Sequence, residues 1–490
     1  MFCVLDGEPR RRGNRSQWPC GAVRRLWDLT ALALTCVLAL VSFTGAAFGQ
    51  NAGGPPFHTV RYEENYEYLR DPAKRTELLD RLKYIPIGTN EDDYISFGGD
   101  IRDRYEWFRN PLFGQEPQDN NGYLLQRYMV HADLHLGRFR FFGQLKSNLE
   151  NGRTGGPRPA DEDRLDLHQA FLEVRLAGEE KHGLAFRMGR QEIALGSSRL
   201  VSVREGPNVR QSFDGARLTW RTSSWTIDAL ATRPVETNSG VFDDSPDHRR
   251  ELWGVYAAGP LPLPKAHVDL YYLGYDRKRA RFDHGTGREL RHSIGTRLWG
   301  SPGAWDYNFE LVYQFGDFAS GNIRAWTVAS DTGYRMESIR FRPRFGLKAD
   351  ATSGDHNPQG RTLGTFNALF PKGAYFSEAD LIGPYNHIDL HPSVELDLTK
   401  RLTLTPDLDF FWRQSTRDGI YNIAGALIRS SRTSSARYIG SHADVQLDWK
   451  VNRHISVTGI YLHFFPGDFL KETRPAFPVN FIAAWVSYKL

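Results

Sequence analysis

Residues 95–108 read Ile-Ser-Phe-Gly-Gly-Asp-Ile-Arg-Asp-Arg-Tyr-Glu-Trp-Phe. The odd positions Ile95, Phe97, Gly99, Ile101, Tyr105 and Trp107 are apolar or small, interrupted only by Asp103. The even positions include Ser96, Asp100, Arg102, Arg104 and Glu106. A period of two puts these sets on opposite faces of an extended strand. Such a strand separates an apolar medium from a wet one.

The rhythm returns along the chain. Tyr128, Val130, Ala132 and Leu134 alternate with Arg127, His131, Asp133 and His135. Trp305, Tyr307, Phe309, Leu311 and Tyr313 alternate with Asp306, Asn308, Glu310 and Gln314. Leu402, Leu404, Leu408, Phe410 and Trp412 alternate with Thr403, Thr405, Asp407 and Asp409. The spacing predicts strands near 95–108, 124–136, 138–148, 165–176, 184–194, 214–221, 224–232, 251–258, 266–275, 290–299, 303–317, 323–330, 337–350, 387–399, 401–413, 437–450, 453–465 and 479–490, eighteen in all. Links after even strands are short. Links after odd strands are long, at 109–123, 149–164, 195–213, 233–250, 276–289, 351–386, 414–436 and 466–478, with 318–322 the short exception.

Composition narrows the fold. The chain has 490 residues, a net charge of +4, 24% charged and 13% aromatic residues. That balance excludes a strongly basic nucleic-acid binder. Mean hydropathy is −0.50, which excludes a bundle of membrane helices. Arg10, Arg11, Arg12, Arg15, Arg24 and Arg25 precede an apolar run from Leu29 to Phe43 and the small residues Gly45, Ala46, Ala47 and Gly49. This is the pattern of a secretory signal peptide over 1–49. Cys3, Cys20 and Cys36 all fall within it, so cleavage removes every thiol.

An exported, cysteine-free chain of alternating strands fits a bacterial outer membrane. Lipid offers no hydrogen bonds, so a spanning sheet must close on itself. The reading is an all-β fold: one antiparallel transmembrane β-barrel of about eighteen strands over 94–490, with outer-membrane lipid around it. An even strand count leaves both termini in the periplasm, where the short turns also lie. Residues 50–93 are read as a periplasmic N-terminal segment. Leu78, Leu79 and Leu82 at helical spacing predict one short helix there, stopped by Pro86.

Several segments resemble the alginate export porin family. They are Leu69-Arg70-Asp71-Pro72, Leu82-Lys83-Tyr84-Ile85-Pro86, Ser96-Phe97-Gly98-Gly99-Asp100-Ile101-Arg102, Gly189-Arg190-Gln191-Glu192 and the block from Ser198 to Gly215. The resemblance spans about 60–490 and is densest over 69–220. It implies an eighteen-stranded outer-membrane barrel with an arginine-rich conduit for an acidic polysaccharide. It also implies periplasmic polymer-delivery proteins as partners.

The expected site is the lumen. Arg340, Arg342, Arg344 and Lys348 share one parity on the strand placed at 337–350, ~6.6 Å apart per two residues. Arg102, Arg127 and Arg187 share the inward parity on their own strands. Arg199, Arg204 and Arg210 lie on the 195–213 link, which Pro207 stiffens. Arg190 has the parity of Phe186 and Met188, so it needs a local bulge to reach the lumen. A guanidinium fork suits a carboxylate and stays charged. The competing reading pairs these arginines with lumen acids such as Asp100, Asp133, Glu173, Glu310 and Asp409.

The expected function is passive export of an alginate-like polyuronate. The alternatives are a porin for small anionic solutes and a surface binding or enzymatic barrel. No G-x-S-x-G, P-loop or G-x-G-x-x-G motif is present, so no catalysis and no cofactor are expected. His131 and His135 stand ~13 Å apart on a strand, too far to share a metal, and no metal ligands are expected.

Overall fold

The computed structural model describes residues 54–90 and 92–490. The predicted signal peptide lies outside the described residues. Eighteen strands form the wall: β1 Tyr94–Arg109, β2 Tyr123–Leu136, β3 Phe139–Asn151, β4 Asp163–Gly178, β5 Gly183–Gln191, β6 Phe213–Arg221, β7 Thr226–Glu236, β8 Arg250–Pro260, β9 Ala266–Phe282, β10 Gly285–Gly300, β11 Trp305–Phe318, β12 Gly321–Arg335, β13 Arg344–Thr352, β14 His387–Thr399, β15 Leu402–Trp412, β16 Tyr438–Lys450, β17 Ile455–Pro466 and β18 Val479–Lys489. Each pairs antiparallel with its neighbour in sequence. β18 pairs with β1 from Asp100 opposite Lys489 to Arg109 opposite Asn480, and this closes the barrel.

The alternation resolves as expected. Phe97, Val130, Phe309, Leu311, Leu347 and Leu390 are exposed on the outside, whereas Arg104, Arg127, Gln144, Glu310 and His391 are buried inside. A soluble sheet sandwich would reverse these faces. Short turns at 137–138, 179–182, 222–225, 261–265, 301–304, 400–401 and 451–454 mark one end of the barrel, the periplasmic end in this class.

Three expectations need correction. The 276–289 link is mostly strand: β9 reaches Phe282 and β10 begins at Gly285, leaving Asp283-His284 as the turn. Its charged residues read as loop, yet Phe282 packs edge-on against Phe318 at 5.5 Å and Tyr421 at 6.1 Å between ring centres. Tertiary packing extends the hairpin. Second, the strand placed at 337–350 begins only at Arg344. Pro343 has no N–H to extend the ladder. Phe341 and Arg342 take left-handed φ of 68° and 44°, and Met336 N–H donates to the Pro343 carbonyl at 2.8 Å.

Third, the expected short helix is present as one α-helical turn, Asp80–Lys83, and three further 3-10 turns precede it, Arg61–Glu63, Glu67–Arg70 and Pro72–Lys74. Leu78 and Leu82 are exposed, so their stripe finds no surface to pack on. Single turns persist only with tertiary support. Here Tyr66, Leu69, Tyr84 and Tyr94 form a small core. Arg61 ties the segment to the closing seam, donating to the carbonyls of Gly99 at 2.8 Å and Leu490 at 2.6 Å.

Leu311 is at mid-strand on β11 and 53% exposed. Leu311→Arg is expected to destabilise the barrel by about 2–4 kcal/mol in a bilayer. The same change at Leu263, in the 261–265 turn, is expected to cost about 0–1 kcal/mol. Urea titration of the heat-modifiable gel shift in liposomes measures the difference.

Candidate functional site

Two long links fold into the bore. The segment 192–212 joins β5 to β6 and buries Ile193, Leu195, Leu200, Val201, Val203 and Val209. The segment 353–386 joins β13 to β14 and buries Phe366, Leu369, Phe370 and Phe376. A solvated loop has no use for so many apolar side chains. Here most of them join an apolar core with inner-wall residues Leu230, Leu252, Tyr256, Tyr271, Leu273 and Val312. Burying one large aliphatic or aromatic side chain gives roughly 1.5–3 kcal/mol.

The two segments also pair with each other. Phe370 N–H donates to the Leu200 carbonyl at 2.8 Å, and Lys372 N–H to the Ser198 carbonyl at 3.0 Å. Asn208 fixes the first segment to the wall: its amide donates to the carbonyls of Gln126, Leu149 and Asp161. The N-terminal turns reach the same place. Tyr62 Oη donates to the Glu192 carbonyl at 2.7 Å, and Arg210 donates to the Thr59 carbonyl at 2.7 Å.

The structure places the expected cations as follows. Arg102 donates to the carbonyls of Glu205 at 2.8 Å and Pro207 at 3.0 Å. Arg127 pairs with the Glu205 carboxylate, and Arg210 with Glu192 at 2.8 Å and Glu205 at 3.0 Å. These arginines hold Glu205 well below the usual carboxylate range. Arg199 pairs with Asp350 and, at 3.5 Å, with Glu310, and donates to Tyr375 Oη. Arg187 pairs with Glu173 at 2.6 Å and lies 4.0 Å from the Tyr62 ring centre. Arg204 takes a left-handed φ of 53° and has no carboxylate partner among the described residues; burial lowers its pKa.

The remaining residues depart from expectation. Arg190 stays opposite Asp214 in an unbroken register, with the parity of the exposed Met188, and pairs with Asp214 at 3.0 Å. No bulge turns it inward. Arg340 and Arg342 lie in the turn before β13, not on the wall; Arg342 pairs with Glu337 at 2.5 Å. Arg344 is on β13 but is spent on Asp306 at 2.5 Å. Of the expected row Arg340 and Lys348 are without an ion pair among the described residues; Arg340 lies over the Phe341 ring in the turn, and Lys348 is on the wall.

Lys348 lines a cavity of about 140 Å³ between the wall and the infolded loops, together with Arg199, Asp350, Lys372, Tyr375 and Asp389. Lys372, which sequence reasoning missed, also has no carboxylate partner among the described residues. Burial, then the Lys348 and Arg199 charges, lower its pKa to about 8. The run Phe366 to Phe376, five of whose eleven residues are Phe, Leu or Tyr, was the available signal that 353–386 is not a solvated loop. The cavity presents two ammonium groups without contact ion pairs among the described residues, beside the carboxylates of Asp331, Asp350 and Asp389.

Comparison with known proteins agrees with this architecture. The alginate export family model matches residues 93–480. A BenF-like porin from Pseudomonas fluorescens Pf-5 superposes with a TM-score of 0.55 at 12% identity, over 82% of this chain and 100% of that one. OccD3 (OpdP) of Pseudomonas aeruginosa gives 0.54 at 12% identity, over 81% and 91%. OccK2 (OpdF) of Pseudomonas aeruginosa, solved in complex with glucuronate, gives 0.50 at 12% identity, over 82% and 97%. No curated protein matches the sequence. At these identities the solved structures speak to the fold alone.

Lys372 is charged below about pH 8 and neutral above it, whereas an ordinary lysine stays charged to about 10.4. Inhibition of single-channel current by a soluble uronate is therefore expected to weaken as pH rises from 7 to 9. Lys372→Arg is expected to flatten that profile. An unchanged wild-type profile across this range would remove Lys372 from the site.

Proposed function

This chain belongs to the alginate export family, and from that premise we propose that it exports an alginate-like polyuronate passively across the outer membrane. It is an outer-membrane channel; the polymer is the proposal. The observation that carries it is the pair of unpaired ammonium groups, Lys348 and Lys372, beside the infolded loops. A polyuronate presents one carboxylate per sugar. Conduction needs binding strong enough to draw each carboxylate in and weak enough to release it. Two ammonium groups meet that requirement. A row of free guanidinium forks would hold the polymer more tightly. The arginines serve instead to position the loops. Periplasmic polymer-delivery proteins are the partners this reading requires at the turn end.

One observation favours a second reading, a porin for small carboxylated solutes. The paired segments 192–212 and 353–386 leave a cavity of about 140 Å³, a volume suited to one sugar unit. The OccK2 neighbour was solved with a single uronate, glucuronate. Polymer export additionally requires the two segments to part.

Planar-bilayer recordings with uronate oligomers of increasing length separate the readings. Polymer export predicts current blocks whose dwell time grows with length. Blocks by the monosaccharide alone would favour the small-solute porin, and indifference to every uronate would defeat both. Lys348→Glu is expected to weaken block about 10–100-fold, the equivalent of losing about 1.5–3 kcal/mol of charged hydrogen bonding.

A further inference from the structure

The bore wall carries a second cluster that the channel reading does not use. Asp407 and Asp409 on β15, His442 and Asp444 on β16, and His391 on β14 all face inward. In the ladder Asp407 lies directly opposite Asp444, and Asp409 opposite His442. Like charges facing each other across strands repel. Most acids of the bore wall are met by arginine or lysine, with Asp389, paired among the described residues only to His387, a further exception. Here, among the described residues, no Lys or Arg nitrogen comes within 4.0 Å of Asp407, Asp409 or Asp444; their ion-pair partners are histidines alone.

The histidines are not satisfied by those carboxylates. His442 is 2% exposed, and its Nε2 has no hydrogen-bond partner. It points at Asp444 Oδ2 from 3.5 Å and at Asp407 Oδ1 from 3.7 Å. Asp407 Oδ1 is also unpartnered. These separations are long for hydrogen bonds. They suit ligands sharing one cation, because tetrahedral donors on ~2.1 Å bonds lie ~3.4 Å apart. One donor atom each from Asp407, His442 and Asp444 falls within 4.8 Å of the others. His391 braces the set, reaching Asp407 through Nε2 and Asp409 through Nδ1, each at 3.2 Å.

We infer that Asp407, His442 and Asp444 form a divalent metal site in the bore wall, selective for a borderline ion of the Zn²⁺ class. The imidazole nitrogen disfavours Mg²⁺ and Ca²⁺, which take oxygen donors. Three protein ligands leave a fourth position for water or an anion. The ion neutralises the facing carboxylates and ties β15 to β16. Strand-by-strand reading could not find this site. Its ligands are two apart on one strand and directly across on the next, a spacing invisible along the chain.

The test is independent of what the channel carries. The full-length barrel, purified in detergent and stripped with chelator, is titrated with ZnCl₂ by calorimetry at pH 7.5. One equivalent is expected to bind, at least 100-fold more tightly than CaCl₂. His442→Ala and Asp444→Asn are each expected to weaken that equivalent at least tenfold while the heat-modifiable gel shift persists. Cobalt(II) provides a readout that needs no variant: the wild-type protein is expected to give the intense visible absorption of tetrahedral coordination. Absence of a tight equivalent, equal affinity in both folded variants, or an octahedral cobalt spectrum would each overturn the site.

Discussion

The structure depends on a single constraint. In hydrocarbon every backbone N–H and C=O must find a partner within the chain. The pairing of β18 with β1 satisfies the last open edge, from Asp100–Lys489 to Arg109–Asn480. Gly99 and Leu490 exchange N–H···O=C bonds at the base of that seam, and Arg61 adds a second donor to each carbonyl. Closure also decides chemistry. Once the outside must be apolar, all charge that the strands carry goes inward, and eighteen strands enclose a wide interior. That interior has to be filled by water or by chain.

Chain fills much of it, and the filling sorts the charges. Arg102, Arg127 and Arg210 converge on Glu205 or its backbone, and Arg199 on Asp350 and Glu310. Each is a buried or half-buried cation whose desolvation is offset only while its partner is present. Removing one member of a buried pair costs more than the pair contributes. These arginines therefore act as fasteners for the infolded segments. The apolar patch of β7–β11 supplies the burial that draws the segments in, and the arginines set their position.

The strands were legible in the sequence because their period is enforced twice, by lipid on one face and water on the other. All eighteen appear, and the resemblance to the export family agreed with a count made from spacing alone. Legibility failed where one of the two solvents is missing. Residues 276–289 rise where period two carries no lipid signature, so their ladder read as loop. Residues 337–343 kept the right period, yet Pro343 breaks the ladder there, and Arg340 and Arg342 fall off the wall. The candidate site was half legible. Parity identified Lys348. It could not reveal which arginines are neutralised, because some partners are distant in sequence, 78 residues between Arg127 and Glu205 and 151 between Arg199 and Asp350. Lys372 lay in a link whose apolar run should have marked it as infolded.

Counting arginines is therefore a poor measure of what a lumen does. A paired guanidinium contributes little field beyond its own partner, and the function concentrates where pairing is incomplete. In this barrel those places adjoin. Lys348 lies directly opposite His391 in the β13–β14 register, so unpaired ammonium groups border histidine-braced carboxylates along one arc of wall. Neither set neutralises the other at contact distance, since Lys348 has no carboxylate within 4.0 Å among the described residues and the acids have no Lys or Arg. Direct pairing across this boundary would have been the simplest way to stabilise the wall. Its absence leaves opposite charges a few residues apart on the wall. An anion entering the lysine cavity and a cation held by the acids would each reduce the other's electrostatic cost.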